Sequence, residues 1–290
     1  MIEKVTVFGA GTMGRGIAQV AALAGLAVTM QDLSEGILQA AMHAIRTNMA
    51  KGLEKGRLDS RSVEAALGRF SVVTDPLKAA EGAGFIIEAI VENLETKKDL
   101  FRLLDRSCPA EVILASNTSA LSLTELASAT RRPDRVVGTH FFNPVPLIHF
   151  VEIVRGLETS AETIETTARL MKRMKKETVV ISDSPGFITS RVNVLIGNEA
   201  FNMLQEGIAS AQDIDKALKL GLNHPMGPFE LVDLVGLDIR LSVLRDLHAR
   251  LGEKFRPSPL LVKYVNAGRL GKKVRRGVYA YDEEGKRLPG

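Results

Sequence analysis

KVTVFGAGTMG, residues 4–14, decides the fold. A short run rich in β-branched and aromatic side chains leads directly into glycines at positions 9, 11 and 14, and Thr12 and Met13 open a helical pattern that continues through Gly16 to Ala24. A glycine-rich turn between a strand and a helix is the geometry of a dinucleotide-binding crossover. Gly9 permits the tight turn, Gly11 leaves room for a pyrophosphate against backbone, and Gly14 lets helix and strand pack closely. The helix N-terminus then offers N–H groups and a partial positive charge to phosphate. A second strand pattern, AVTMQ, ends at Asp32, about 20 residues beyond the turn, where a carboxylate accepts hydrogen bonds from ribose hydroxyls and repels a 2′-phosphate. No arginine follows it immediately. The pattern therefore predicts NAD rather than NADP; the alternative is a glycine turn with an acidic strand end that serves only the fold.

Outward from this turn, FSVV, FIIEAI, VILAS, VVGTH, HFVEIV and TVVIS alternate with helical patterns. Most are continuous apolar runs, as expected of strands covered by helices on both faces, so the fold class is α/β with a doubly wound Rossmann-type N-terminal domain. Between Ser34 and about Lys55, residues Ile37, Leu38, Ala41, Ile45, Met49 and Leu53 recur at helical spacing. This long helical insertion is expected to continue into a hairpin through LDSRSVEAALG that projects from the sheet toward a ligand. Beyond TVVISDSPGF the strand patterns stop, and helices are expected near 186–206, 211–220, 228–250 and 258–267. Ser184-Pro185-Gly186 is the clear break. The expected division is an NAD-binding domain over 1–184 and an all-α C-terminal domain for substrate binding and dimerisation over 185–290.

Composition limits the function classes. At 290 residues, with 45% hydrophobic and 25% charged, the chain can bury two cores, which excludes a disordered or fibrous protein. Cys108 is the single cysteine, so neither an internal disulfide nor a cysteine metal cage is available, and no metal is expected. It reads as a packed thiol in a reducing compartment. The opening MIEKVTVFGAGTMG enters a strand at once, and no apolar run approaches the roughly 18 to 20 residues of a membrane span, so a cytoplasmic protein without membrane association is expected. The net charge of +4 is concentrated in GRLGKKVRRG and suits an anionic small molecule or a solvated tail. Nucleic acid is not expected, because no helix-turn-helix, finger spacing or interleaved aromatic residues accompany the basic cluster.

His140 ends the strand pattern RVVGTH, and Glu152 lies within IHFVEIV. Alternation places Glu152 on one face with Ile148, Phe150 and Val154. A carboxylate among such neighbours needs a partner, and His140 is the candidate. Glu152 would fix the imidazole tautomer and stabilise the imidazolium formed when His140 takes a proton; a purely structural buried pair reads the same pattern. His43, His149, His224 and His248 are expected to be structural or solvated.

HFFNPVPLIHFVEIV (140–154), SNTSALS (116–122), AIVENLETKKDLF (89–101) and DIDKALKLGLNHPMGPFELVDLVGLD (213–238) together resemble the L-3-hydroxyacyl-CoA dehydrogenase family, and most of all its bacterial 3-hydroxybutyryl-CoA members. The likeness runs nearly end to end and includes the GKK…GVYAY tail. It implies hydride transfer between NAD and the 3-hydroxyl of an acyl-CoA thioester, with His140 as general base, Glu152 as its orienting partner and Ser119 near both the substrate oxygen and the nicotinamide. It implies NAD contacts at Glu92, Lys97, Asn143 and Lys273 beside Gly9, Gly11, Thr12, Met13, Gly14 and Asp32, and CoA contacts at Asn48 and Lys55 as well as Ser119. It also implies a homodimer built through the C-terminal domain. Taken alone, Glu92 could cap the following helix, Asn143 could form a turn before Pro144, and Lys97 and Lys273 could be solvated.

One departure from the family pattern stands in PGFITSRVN. Where the family carries an asparagine immediately before the arginine, this chain has Ser190, with Asn193 about one helical turn on. Serine donates one hydrogen bond but reaches less far than an amide, which leaves the substrate preference open. A dehydrogenase of free hydroxyacids such as L-gulonate and a non-catalytic NAD-binding structural protein are the competing readings. The Ser119, His140 and Glu152 set argues against the second.

Overall fold

The computed structural model describes residues 2–288 and divides between Ser184 and Pro185 into two compact units. The first is built on one sheet of eight strands: β1 (Lys4–Phe8), β2 (Ala27–Gln31), β3 (Phe70–Val73), β4 (Phe85–Glu88), β5 (Ile113–Ser116), β6 (Val136–Phe141), β7 (Phe150–Arg155) and β8 (Glu177–Ser182). Their spatial order is 3-2-1-4-5-6-7-8, and every neighbouring pair is parallel except β6 with β7. The chain winds outward in opposite directions from β1 and β4. Ligands of such sheets bind where the order reverses, at the carboxyl ends of these two strands.

Adjacent strand residues enter different cores. Ile87, Ala115 and Val137 belong to one buried cluster, and their immediate neighbours Ile86, Leu114 and Val136 belong to another. Because successive side chains point to opposite faces, burial on both faces explains why these strands read as unbroken apolar runs. The outermost strands relax the rule: Val72 on β3 and Val179 on β8 are exposed.

Seven α-helices among the described residues accompany the sheet: α1 (Thr12–Leu23), α2 (Glu35–Glu54), α3 (Ser60–Leu67), α4 (Pro76–Ala80), α5 (Leu94–Ser107), α6 (Leu123–Ala127) and α7 (Ala161–Arg173). Ser34 caps α2 by accepting from the Ile37 N–H, and Gly56 turns the chain beyond it at φ +63°. The α2–α3 hairpin packs along α1. Leu38, Ala41, Ile45 and Met49 of α2, with Val63 and Ala66 of α3, share a core with Ile17, Ala18 and Ala21 of α1. An apolar stripe of that length needs cover, and α1 supplies it.

The second unit contains α8 (Thr189–Gln205), α9 (Ala211–Gly221), α10 (Pro228–Val235), α11 (Leu237–Leu251) and α12 (Pro259–Asn266) around Phe201, Phe229 and Phe255. Two expectations are corrected here. The first helix begins at Thr189 rather than 186, because Gly186 and Phe187 both have left-handed φ, +75° and +50°. The helix expected over 228–250 is two helices, because Gly236 at φ +111° interrupts the hydrogen-bond ladder after donating to Val232. No helix of the described residues is long and apolar enough to cross a membrane.

Two buried carboxylates fasten the tail of this unit. Asp233 accepts from the Val278 N–H on one oxygen and from the Tyr279 N–H and Tyr281 hydroxyl on the other; Asp215 accepts from Phe229, Glu230 and the Tyr279 hydroxyl. Burial pushes both carboxyls up, against these donors, and pushes both tyrosine hydroxyls up as well. An asparagine amide in place of Asp233 would accept on one side only and aim an NH2 group at a donor on the other. Asp233→Asn is therefore expected to lose about 2–3 kcal/mol of stability, the cost of an unsatisfied buried donor, measured by urea denaturation. A loss below about 0.5 kcal/mol, the level of an ordinary surface change, would show that the tail is not fastened this way.

Candidate active site

The dinucleotide turn is shaped by contacts that exclude side chains at two of its three glycines. A Cβ on Gly9, which has φ +91°, would lie 2.5 Å from the Ala89 carbonyl oxygen, and one on Gly14 would lie 1.7 Å from the carbonyl oxygen of Gly9. Those glycines are required by the chain itself. Gly11 differs, since a Cβ there would meet nothing within 4 Å. Its bare face is open at the N-terminus of α1, where Thr12 and Met13 form the first turn, as the close approach of a pyrophosphate to backbone requires. Asp32 is tied to the same turn: Oδ2 accepts from the Ala10 N–H at 2.7 Å and Oδ1 from the Leu33 N–H at 2.7 Å. The half-buried carboxylate is thus oriented beside the turn, as a ribose acceptor requires.

The antiparallel register of β6 and β7 sets His140 directly opposite Glu152. The imidazole Nδ1 lies 2.7 Å from Glu152 Oε2, and Glu152 is fully buried. At this distance the carboxylate accepts the Nδ1 proton, so Nε2 carries the lone pair of the neutral ring. The Phe142 ring packs against the imidazole with centroids 4.4 Å apart and limits its rotation.

A second polar network lies at the ends of β4 and β5, and most of its members were not singled out in the sequence. Glu88, fully buried at the end of β4, accepts from Lys97 Nζ at 2.5 Å, from the Ser116 hydroxyl at 2.6 Å and from the Ile90 N–H at 2.7 Å. Burial pushes the Glu88 carboxyl up, while Lys97 and Ser116 pull it down. Lys97 also reaches Glu92 at 3.1 Å, and Glu92 accepts from the Ser119 N–H at 3.0 Å and from the Thr118 hydroxyl. Asn117 accepts from the Phe141 N–H at 3.0 Å, which ties the loop carrying Ser119 to the end of β6, one residue past His140. The signal that could have found Glu88 and Ser116 is a polar residue at the carboxyl end of an apolar parallel strand, where ligands of this fold bind.

Several expectations are refined by this arrangement. Lys97 is 1% exposed, so it is a buried link between two carboxylates and not a solvated charge. Asn93, not Glu92, caps α5 by accepting from the Thr96 N–H. Asn143 is exposed just beyond β6 and precedes a cis bond to Pro144. Asn48 and Lys55 are exposed on α2 and at its end. Of the remaining histidines, His43 and His149 are exposed, His224 is half-buried, and His248 pairs with Glu253 at 3.0 Å.

In the second unit, Ser190 is half-buried in the first turn of α8, and Lys273 lies 2.6 Å from both carboxylate oxygens of Asp238. Asn193 is already engaged: oriented by its partners, its amide oxygen accepts from Arg240 at 2.8 and 3.1 Å. Arg240 is 6% exposed, and burial lowers its pKa to about 10, so this acceptor is committed to relieving a buried charge. The Asn193 oxygen is thus taken up within the second unit. No group of His, Cys, Asp and Glu among the described residues could hold a metal ion.

Taken together, the turn, the acid beside it and a His–carboxylate pair on the same sheet define a nicotinamide-dependent dehydrogenase. Comparison with known proteins narrows the class. Residues 4–184 match the family model of the 3-hydroxyacyl-CoA dehydrogenase NAD binding domain, and residues 186–281 match that of the 3-hydroxyacyl-CoA dehydrogenase C-terminal domain. The chain is 47% identical to a probable 3-hydroxybutyryl-CoA dehydrogenase of Bacillus subtilis, over 98% of this chain and 99% of the relative. It is 44% identical to a 3-hydroxybutyryl-CoA dehydrogenase of Bradyrhizobium diazoefficiens, over 97% and 96%. The crystal structure of (S)-3-hydroxybutyryl-CoA dehydrogenase from Ralstonia eutropha superposes with a TM-score of 0.94 at 40% identity, covering 98% of this chain and all of that one. The chain belongs to the 3-hydroxyacyl-CoA dehydrogenase family, and it is an NAD-dependent oxidoreductase.

The Glu88–Lys97–Glu92 chain generates a testable expectation. Glu88→Gln takes from the buried Lys97 ammonium the nearer of its two carboxylates and should cost about 3 kcal/mol, whereas Glu88→Leu with Lys97→Met removes both charges and should cost less than the two single changes summed. The double variant, which removes the Lys97 ammonium from Glu92, should also raise the KM for NAD severalfold. Additive stability losses with an unchanged KM would show that the network neither couples nor supports the cofactor site.

Proposed function

We propose that the enzyme interconverts L-3-hydroxybutyryl-CoA, or an acyl-CoA of similarly short chain, and the corresponding 3-ketoacyl-CoA, with His140 as general base and general acid. The observation that carries this reading is the 2.7 Å contact between His140 Nδ1 and the fully buried carboxylate of Glu152. The activity named for the relatives, at 40–47% identity over nearly the whole chain, supports the substrate class.

In the oxidative direction, His140 Nε2 accepts the proton of the 3-hydroxyl as charge builds on that oxygen. Glu152 keeps the Nδ1 proton in place and faces the ring that becomes cationic, which lowers the cost of the imidazolium inside the fold. In the reverse direction the imidazolium returns the proton to the 3-ketone oxygen. Ser119 would hydrogen-bond the same oxygen, and Glu92 holds its loop through the Ser119 N–H. NAD, when bound, supplies the acceptor for the hydride that leaves C3.

Gly9, Gly11, Thr12, Met13, Gly14 and Asp32 would hold the pyrophosphate and ribose of NAD, with Glu92, Asn143 and Lys273 as further contacts and Lys97 acting through Glu92. Asn48, Lys55 and Ser119 would meet the CoA moiety, and Ser190 would touch the acyl group in place of the usual asparagine. The active form would be a cytoplasmic homodimer assembled through the helical unit. Ile188 just before α8, Val192 on α8 and Ile239 on α11 are each about half exposed, which is the kind of apolar surface an interface covers.

The test is NADH absorbance on mixing with acetoacetyl-CoA, run in parallel with free acetoacetate and with NADPH. NADH loss is expected with the thioester only, and NADPH should be a poor substitute because Asp32 repels its 2′-phosphate. His140→Ala and Glu152→Gln should each lower kcat about a hundredfold or more while NADH still binds. Turnover of free acetoacetate but not the thioester would replace the substrate class, and near-normal rates in either variant would remove the proposed base.

A further inference from the structure

The loop that joins the two members of the catalytic pair, residues 142–149 between β6 and β7, is gripped from two directions. On one side it meets α1: a Cβ on Gly16 would lie 2.9 Å from Val145 Cβ, so only a glycine lets the cofactor helix approach this closely. On the other side stands Lys176. Its ammonium donates to the Val145 carbonyl at 2.5 Å and to the Ile148 carbonyl at 2.6 Å. Val145 itself is 1% exposed, in the same core as Ile17 of α1 and Met171 of α7.

The sequence places Lys176 there by a local device. Beyond α7, Lys175 adopts a left-handed conformation with φ +56°, and the Lys176 N–H donates back to the Met171 carbonyl at 2.9 Å. This turn leaves Lys175 exposed and sends its neighbour inward, to 4% exposure. A lysine buried so deeply and bonded to neutral carbonyls bears an uncompensated desolvation cost, and burial lowers its pKa to about 8. An apolar residue at this position would avoid that cost. What it would lose is the two bonds that hold the loop.

We infer that Lys176 is a positioning residue for the hydride-transfer reaction: with Gly16, it fixes the β6–β7 loop against the cofactor helix and so sets the catalytic hairpin in register with the dinucleotide site. The inference rests on the roles proposed above for His140 and Asn143. The hairpin is pinned at its strand end by the His140–Glu152 contact and at its loop end by Lys176, and Asn143 lies between the two. Catalysis by alignment is steeply sensitive to displacement, since an error of about 1 Å can cost on the order of a hundredfold in rate. A clamp far from the reacting atoms can therefore govern kcat.

The test compares wild type, Lys176→Met, Val145→Ala and His140→Ala in the full-length enzyme well below its Tm, with active enzyme counted by stoichiometric NADH binding. Lys176→Met keeps the length of the side chain and removes its donors, and Val145→Ala loosens the opposite side of the grip. Both are expected to lower kcat per bound NADH about tenfold or more, with the KM for acetoacetyl-CoA changed less than about threefold. A lysine that served stability alone would lower Tm and leave kcat per bound NADH within about twofold of wild type, and that result would overturn the inference. Should Lys176→Met fail to fold, Val145→Ala decides by the same criterion. The two readings fail separately: a normal rate in His140→Ala removes the catalytic base, whereas an inactive His140→Ala beside normal Lys176→Met and Val145→Ala removes only the clamp.

Discussion

A buried carboxylate opposite an imidazole, on the one antiparallel pair of an otherwise parallel sheet, is the constraint from which the rest of the first unit can be understood. Glu152 is fully buried within β7, where an ionised carboxyl is tolerated only with a donor in contact. The donor is His140, and it can be there because antiparallel pairing sets the two residues face to face across the ladder. The cost of burying the charge is offset by the partner it orients. A parallel β7 would have needed a long crossover and could not have followed His140 with so short a loop.

The remaining polar residues at the carboxyl ends of the strands extend this logic. Glu88 and Lys97 are both buried and satisfy each other, and Lys97 carries the arrangement on to Glu92 and so to the backbone of Ser119. Asn117 joins that loop to β6 beside His140. The loop that carries Ser119 is thus tied to a strand end through Asn117 and to a buried ion pair through Glu92 and Lys97.

The sheet was legible in the sequence because two-sided burial writes itself as continuous apolar runs, as in FIIE and ILAS. The partnership of His140 and Glu152 was legible for a related reason, since an acid within an apolar strand demands a partner. Other features were hidden by the same rules that made these visible. The periodicity of VDLVGLDIR runs through Gly236 unbroken, and nothing in the residue types says that its φ is +111°. The cover of the α2–α3 hairpin was hidden as well, because an apolar stripe shows that a face is covered without saying by what. Nothing in the residue type marks Lys97 or Lys176 as buried, because most lysines are exposed. Only the tertiary fold reveals that each lies within reach of buried acceptors, Glu88 for the first and two loop carbonyls for the second.

The central claim is that Glu152 holds the His140 ring in the tautomer that can take a proton at Nε2. Nitrogen-15 NMR of the enzyme labelled at histidine, in the substrate-free state near neutral pH, reads that tautomer directly, and Glu152→Gln assigns the resonances. The account predicts a His140 ring with its proton on Nδ1 and an unprotonated Nε2, lost or mixed in the variant. A ring protonated at Nε2 and bare at Nδ1 in the wild-type enzyme would contradict it.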